Sequence, residues 1–134
     1  MSLQRTRDWL EQARADLRAA RDLLRAGHHA WCCFACQQAA EKALKAVLEH
    51  FRTPRPGHNL LELIAHISGQ LQVPESVRRA CVVLNRYYIS TRYPNAFPSG
   101  APAQMFDEQD AREALSHAQE VLAFAERATG LGGH

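Results

Sequence analysis

The stretch Ala30–Phe51, AWCCFACQQAAEKALKAVLEHF, decides the fold. It runs for twenty-two residues without Gly or Pro. At about 100° per residue, its apolar members (Cys32, Cys33, Phe34, Ala35, Cys36, Ala39, Ala40, Ala43, Leu44, Ala46, Val47, Leu48) cover more than half of a helix circumference. A surface helix shows one apolar stripe, so one that is apolar nearly all round belongs at the centre of a bundle. The polar remainder forms a narrow line, Gln38, Lys42, Lys45 and Glu49, with Trp31 at its upper end. Gln37 falls inside the apolar arc and needs a hydrogen-bond partner there, since a buried unsatisfied amide costs roughly 1 to 3 kcal/mol. Lys42 and Lys45 are the only lysines, against fourteen arginines.

Working outward, residues from about Leu3 to Ala26 place Leu10, Ala13, Leu17, Ala20 and Leu24 at helical spacing, and Gly27 supplies a stop. Beside that stripe runs a line of Arg7, Arg14, Arg18, Arg21 and Arg25. Asp8, Glu11, Asp16 and Asp22 lie near it, and the pattern predicts a solvated, ion-paired face in preference to a phosphate-tracking one. The connection His28-His29 is short enough only for an antiparallel return, so the first two helices form a hairpin.

Pro54 and Pro56 make Arg52–Gly57 a loop. A short helix then spans about Asn59–Ser68, entered at His58, with Leu60, Leu61, Leu63, Ile64 and Ile67 directed inward. Gly69 ends it, and Pro74 opens a fourth helix running to about Ser90, with Val77, Ala80, Cys81, Leu84, Tyr87 and Tyr88 on its inner face. Arg78, Asn85 and Arg92 follow one line along it. Thr91–Phe106 contains Pro94, Pro98, Gly100 and Pro102 and reads as a long loop, a kind of segment that often carries function. Asp107 with Asp110 marks the start of a last helix. Its inner stripe is Ala111, Ala114, Leu115, Ala118, Val121, Leu122 and Ala125, and GLGGH from Gly130 is a tail. The expected architecture is all-α: an antiparallel up-and-down four-helix bundle with an additional short helix.

A chain of 134 residues accommodates one domain with a real core, here 1–134 with its core over about 3–128. A formal charge of +2 carries no bulk signal for nucleic acid, so any such binding rests on a local patch. No apolar run reaches the length of a membrane span and the N-terminus lacks a signal-peptide apolar region, which points to a cytoplasmic protein. Cys32, Cys33, Cys36 and Cys81 all sit in helical patterns and read as small core residues in a reducing compartment. The seven histidines show no metal-binding spacing, and no metal or cofactor is expected. No nucleophile elbow or phosphate-cradling glycine loop is present.

Three strings, QQAAEKALKAVL, PGHNLLELI and LNRYYISTRYP, in this order and spacing resemble the HEPN domain (higher eukaryotes and prokaryotes nucleotide-binding) in its stand-alone prokaryotic form. The resemblance runs from about Asp8 to Arg127. It implies a dimer, a minimal nucleotidyltransferase as partner in a toxin–antitoxin-like pair, and a nucleotide or RNA ligand. Many members resemble metal-independent ribonucleases, with an Arg followed four to six residues later by His. Arg would grip the scissile phosphate and His would move the ribose proton. Arg92 stands at the family's Arg position, but Phe97, Pro98 and Ser99 occupy the places where the His is expected. Arg52 and His58 match the spacing only across a Pro-rich loop.

The leading expectation is therefore a nucleotide- or RNA-phosphate-binding accessory module using Asn85, Tyr88 and Arg92, with Gln38, Lys42 and Lys45 as a second polar line. Its structural alternative is an Asn85–Arg92 hydrogen bond fixing the helix end. A ribonuclease toxin using Arg92 with a relocated base, for which His58 is the candidate, is the second reading. A ligand-free interaction module is the third. A homodimer is expected on a further ground, that the second helix is apolar over more surface than its own neighbours can cover.

Overall fold

Leu10, Ala13, Leu17 and Ala20 recur at steps of three and four, and all four are buried along α1 (Ser2–Arg25). The computed structural model describes residues 2–132. α1 ends where Gly27 takes φ +83°. Gly27 N–H donates to Leu24 O and His28 N–H to Leu23 O, the paired closure that a left-handed residue permits. The chain turns at once into α2 (His29–His50), which packs antiparallel against α1.

α2 is buried nearly all round: thirteen of its residues are buried, from Ala30 to Leu48. The helices of this one chain cover it, since α1, the short helices that follow and the last helix all pack on it. This corrects the expectation that α2 needs a second copy to cover its apolar surface. Gln37, fully buried, donates from Nε2 to His58 O at 3.2 Å and accepts from Gln38 Nε2 at 2.7 Å, so its amide is satisfied.

Phe51 and Arg52 close α2 with the same pairing seen after α1: Arg52 N–H donates to Glu49 O and Thr53 N–H to Leu48 O. Here the left-handed position is held by Arg52 at φ +60°, without a glycine. The loop that follows leads into α3 (Leu60–Ile67), whose Leu60, Leu63, Ile64 and Ile67 are buried, whereas Leu61 is exposed. Asn59 caps α3, accepting from the N–H groups of Leu61 and Glu62.

The fourth helix is not continuous. α4 (Glu75–Asn85) stops at Arg86 and α5 (Tyr87–Ser90) restarts for one turn. The side chains of Ser90, Thr91 and Arg92 each donate to the carbonyl four residues back, at Arg86, Tyr87 and Tyr88. Side chains that take those carbonyls compete with the backbone ladder and bend or end a helix.

The Pro-rich segment 91–106 holds a single 3-10 turn at Pro94–Ala96 and one turn of helix, α6 (Pro102–Met105). Phe106 packs edge-on against both Tyr87, at 5.6 Å between ring centroids, and Phe97, at 6.1 Å, and Pro102 is buried. These contacts anchor the segment on the bundle. α7 (Glu108–Thr129) begins at a reciprocal cap, Asp110 N–H to Asp107 Oδ1 and Asp107 N–H to Asp110 Oδ2, both 2.9 Å. It ends at Gly130 in the left-handed region. Of the expected tail, residues 133 and 134 lie outside the described residues.

The architecture is an all-α antiparallel four-helix bundle, formed by α1, α2, α4 with α5, and α7, with α3 inserted between the second and the fourth helical segments. One cluster of buried apolar side chains draws on α1, α2, α3, α4 and α7. The four cysteines are free and belong to it. Among the described residues no helix is long and apolar enough to cross a membrane.

Candidate functional site

The bundle end where α2 begins and α5 stops carries a cluster of aromatic rings around one cation. Trp31 and Phe34, three apart on α2, share a face and meet edge-on with centroids 6.2 Å apart. Phe34 in turn lies 6.2 Å from Tyr88 on α5. The Arg92 guanidinium sits over three rings: Phe34 at 4.4 Å, Tyr88 at 4.6 Å and Tyr93 at 5.0 Å from the centroids. Each ring face attracts a cation.

Arg92 is also held by a hydrogen bond. Its Nε donates to Tyr88 O at 2.8 Å, and Nη2 donates to the same carbonyl. Nη1 keeps both of its hydrogens free of any partner among the described residues, and no carboxylate pairs with the guanidinium there. A cation oriented by rings and a carbonyl, with donors to spare, is arranged to receive an anion from outside.

His58 joins the cluster from the loop before α3. Its imidazole stacks on the Tyr88 ring at 3.5 Å between centroids and 9° between planes. The two candidate catalytic residues, Arg92 for the phosphate and His58 for the proton, thus lie against the same phenol ring although thirty-four positions separate them. A shallow depression of about 220 Å³ opens on this side, lined by His58, Asn59, Asn85, Arg86, Tyr88 and Ile89.

Asn85 has a structural role in this depression. Its Oδ1 accepts from Leu60 N–H at 2.8 Å, and its Nδ2 donates to Asn59 Oδ1 at 3.2 Å. It closes the first turn of α3, and its hydrogen-bond partners are these two residues in place of Arg92. The second polar line is likewise divided. Gln38 reaches the backbone of His58 through Gln37. Lys42, by contrast, is paired with Asp16 of α1 at 2.6 Å, and Lys45 with Glu41 at 3.0 Å and over the Trp9 ring at 5.4 Å. Both lysines are mostly buried by these partners. At 1.5 Å per residue, Lys42 also stands about 12 Å along α2 from Phe34.

Of the arginine line of α1, Arg14, Arg18 and Arg25 are ion-paired, one of them with a partner from another helix, and Arg7 and Arg21 have no ion pair among the described residues. Arg14 crosses to Glu126 of α7 at 2.9 Å and to Leu131 O, while Asp16 serves Lys42. Arg5 pairs with Asp8, Arg18 with Glu11 and Arg25 with Asp22. Burial pushes the thiols of Cys33 and Cys81 up to about 12, so neither is a thiolate near neutrality. Among the described residues no cluster of His, Cys, Asp and Glu is arranged to hold a metal ion.

Sequence reasoning placed Phe34 with the core and read His28 and His29 only as a connection. The structure puts Phe34 under Arg92 and brings His28 and His29 into a second hollow, of about 300 Å³, that Arg92, Trp31 and Thr91 also line. The i, i+3 spacing of Trp31 and Phe34 was the available signal for an aromatic face.

The HEPN domain model matches residues 6–128. A crystal structure of TT1696 from Thermus thermophilus superposes with a TM-score of 0.90 at 48% identity, covering 92% of this chain and 98% of that one. ST0689, an archaeal HEPN homologue, superposes at 0.78 with 30% identity, covering 91% and 95%. In sequence, "Putative toxin MJ1304" of Methanocaldococcus jannaschii is 24% identical over 123 residues, 85% of this chain and 81% of that protein. With three strings in family order, the matching bundle and a domain model spanning nearly its whole length, the chain belongs to the HEPN domain family.

Proposed function

We propose that this chain is a nucleotide- or RNA-phosphate-binding helical module that works with a minimal nucleotidyltransferase in a toxin–antitoxin-type pair. The observation that carries the binding half is the setting of Arg92: three aromatic rings and a carbonyl orient it, and its remaining N–H donors have no carboxylate partner among the described residues. Arg grips phosphate oxygens with paired donors, and the surrounding rings offer surfaces on which a base stacks. Membership of the HEPN family and the likeness to "Putative toxin MJ1304" support the pairing. The ion-paired arginines of α1 make a weaker phosphate site, because a ligand there would displace existing partners. Arg92→Ala should therefore weaken nucleotide or RNA binding more than Arg18→Ala or Arg14→Ala does. The opposite order would move the site to α1.

A ribonuclease is the second reading, and the stacking of His58 on the ring that Arg92 also covers favours it. In this reading Arg92 holds the phosphate and His58 moves the ribose proton, a positioned transfer that contributes roughly 10² to 10⁴ in rate. Cleavage of RNA in EDTA that is lost in both Arg92→Ala and His58→Ala supports it. Absence of cleavage leaves the binding module.

The homodimer stands on a different ground from the covering of α2. Ile89 and Tyr93 are large apolar side chains left about half exposed beside Arg92. A cytoplasmic location accompanies the toxin–antitoxin reading.

A further inference from the structure

We propose that the phosphate of the ligand sits on the α1–α2 side of Arg92, held by His28, His29 and Arg92 with the base on Trp31, in the 300 Å³ hollow that no motif marks. This rests on the reading of Arg92 as a phosphate ligand and fixes which of its two sides is used.

Three features converge there. The turn that closes α1 fixes His28 in place, because its N–H is bonded to Leu23 O and its neighbour Gly27 holds the left-handed conformation. His28 also occupies the N-cap of α2, yet its side chain makes no cap hydrogen bond. The first-turn N–H groups of a twenty-two-residue helix are thus not closed by a side chain at a point beside Arg92.

The lining is cationic or neutral throughout. Gly27, Ala30, Pro94, Ala101, Pro102 and Ala103 accompany the two histidines, Trp31, Thr91 and Arg92, with no Asp or Glu among them. An imidazole carries at least one N–H donor in either protonation state, so His28 and His29 can donate to phosphate oxygens as Arg92 does. The depression on the His58 side is not lined by Arg92, and although His58 and Arg86 line it, its other polar side chains, Asn59 and Asn85, are bonded to each other and to the start of α3.

The size and the aromatic wall specify the ligand class. About 300 Å³ is at the small end of ligand sites, roughly 300 to 1,000 Å³, and suits one nucleotide unit. Trp31 is 52% exposed at the rim and offers a stacking face. The shared chemistry is a phosphomonoester next to a base, supplied either by a free nucleotide or by the 5′ end of a single-stranded RNA.

Trp31 reports on the site directly once Trp9→Phe removes the other indole. In that background 5′-AMP, inorganic phosphate, and a short oligoadenylate with and without a 5′-phosphate are titrated against tryptophan fluorescence. Saturable quenching by 5′-AMP is expected, with inorganic phosphate competing. The double variant His28→Gln/His29→Gln should weaken 5′-AMP at least tenfold, and His66→Gln, exposed on α3, should change it less than twofold. Tighter binding of the 5′-phosphorylated oligonucleotide than of 5′-AMP identifies an RNA end as the source, and the reverse order a free nucleotide. If Arg92→Lys weakens binding but the histidine double variant does not, the phosphate is on the other side of Arg92 and this inference falls while the site reading stands. If neither variant changes binding, or if no phosphorylated ligand quenches Trp31 at millimolar concentration, both fall.

Discussion

Arg92 lies over the ring of Tyr88 and donates to the carbonyl of the same residue. The residue that ends α5 is thereby also the cation of the candidate site, and the two roles have one cause. By taking the Tyr88 carbonyl away from the backbone ladder, Arg92 stops the helix and fixes its own guanidinium beside Phe34 and Tyr93. Arg92→Lys retains the charge but cannot reproduce the planar, ring-stacked fork. It should weaken a phosphate ligand severalfold with little change in charge-dependent elution, measurable by titration calorimetry.

Asn85→Ala should destabilise the fold by about 1 to 2 kcal/mol, because it leaves Leu60 N–H without its acceptor and removes the donor that orients the Asn59 cap. Urea denaturation checks this. A loss of ligand binding without a loss of stability would instead make Asn85 a ligand contact.

Arg52→Gly should stabilise the chain by about 0.5 to 1 kcal/mol. A non-glycine residue at φ +60° carries a steric cost that glycine relieves, partly offset by the greater freedom of glycine in the unfolded chain. In the same loop Thr53 Oγ1 is buried without a hydrogen-bond partner, so Thr53→Val should be neutral or stabilising in the same denaturation assay.

Leu44→Ala should cost about 2 to 5 kcal/mol, since Leu44 is fully buried at the centre of α2 and its loss opens a cavity between helices. A cost near that of an exposed substitution would contradict the central position of α2.

Alkaline conditions should destabilise the fold before they affect the ion pairs. Burial raises the thiols of Cys33 and Cys81 from 9.0 to about 12, so the unfolded chain loses these protons first. The stability they contribute is complete below pH 9 and declines as pH rises towards 12. Thermal melting across this range reads the decline, and at pH 8 a thiol reagent should leave Cys33 and Cys81 unmodified until the protein unfolds.

The four long helical segments and the short insert were legible because one apolar period per helix survives into the bundle: Leu10, Ala13, Leu17 and Ala20 are buried in the structure as their spacing predicts. The break at Arg86 was not, because no Pro or Gly marks it, and the stop after α5 was not, because the side chains of Ser90, Thr91 and Arg92 take the carbonyls of Arg86, Tyr87 and Tyr88. The ion pairs of Lys42 with Asp16 and of Arg14 with Glu126 depend on how α2 and α7 are rotated against α1, which local spacing does not encode. The candidate site was legible at Arg92 and Tyr88, the residues in the family string. His28, His29 and Phe34 were missed because the hollow and the aromatic cluster join segments distant in the chain.

The central claim, that a phosphate-bearing ligand binds at Arg92, is tested most directly by two-dimensional ¹⁵N–¹H spectra that resolve the Arg Nε–H and Trp Nε1–H signals during addition of 5′-AMP. The account predicts that the Arg92 Nε–H and Trp31 Nε1–H resonances shift together and saturably while those of Arg14 and Arg18 stay in place. Saturable shifts confined to Arg14 and Arg18 on α1, with Arg92 unmoved, would contradict it.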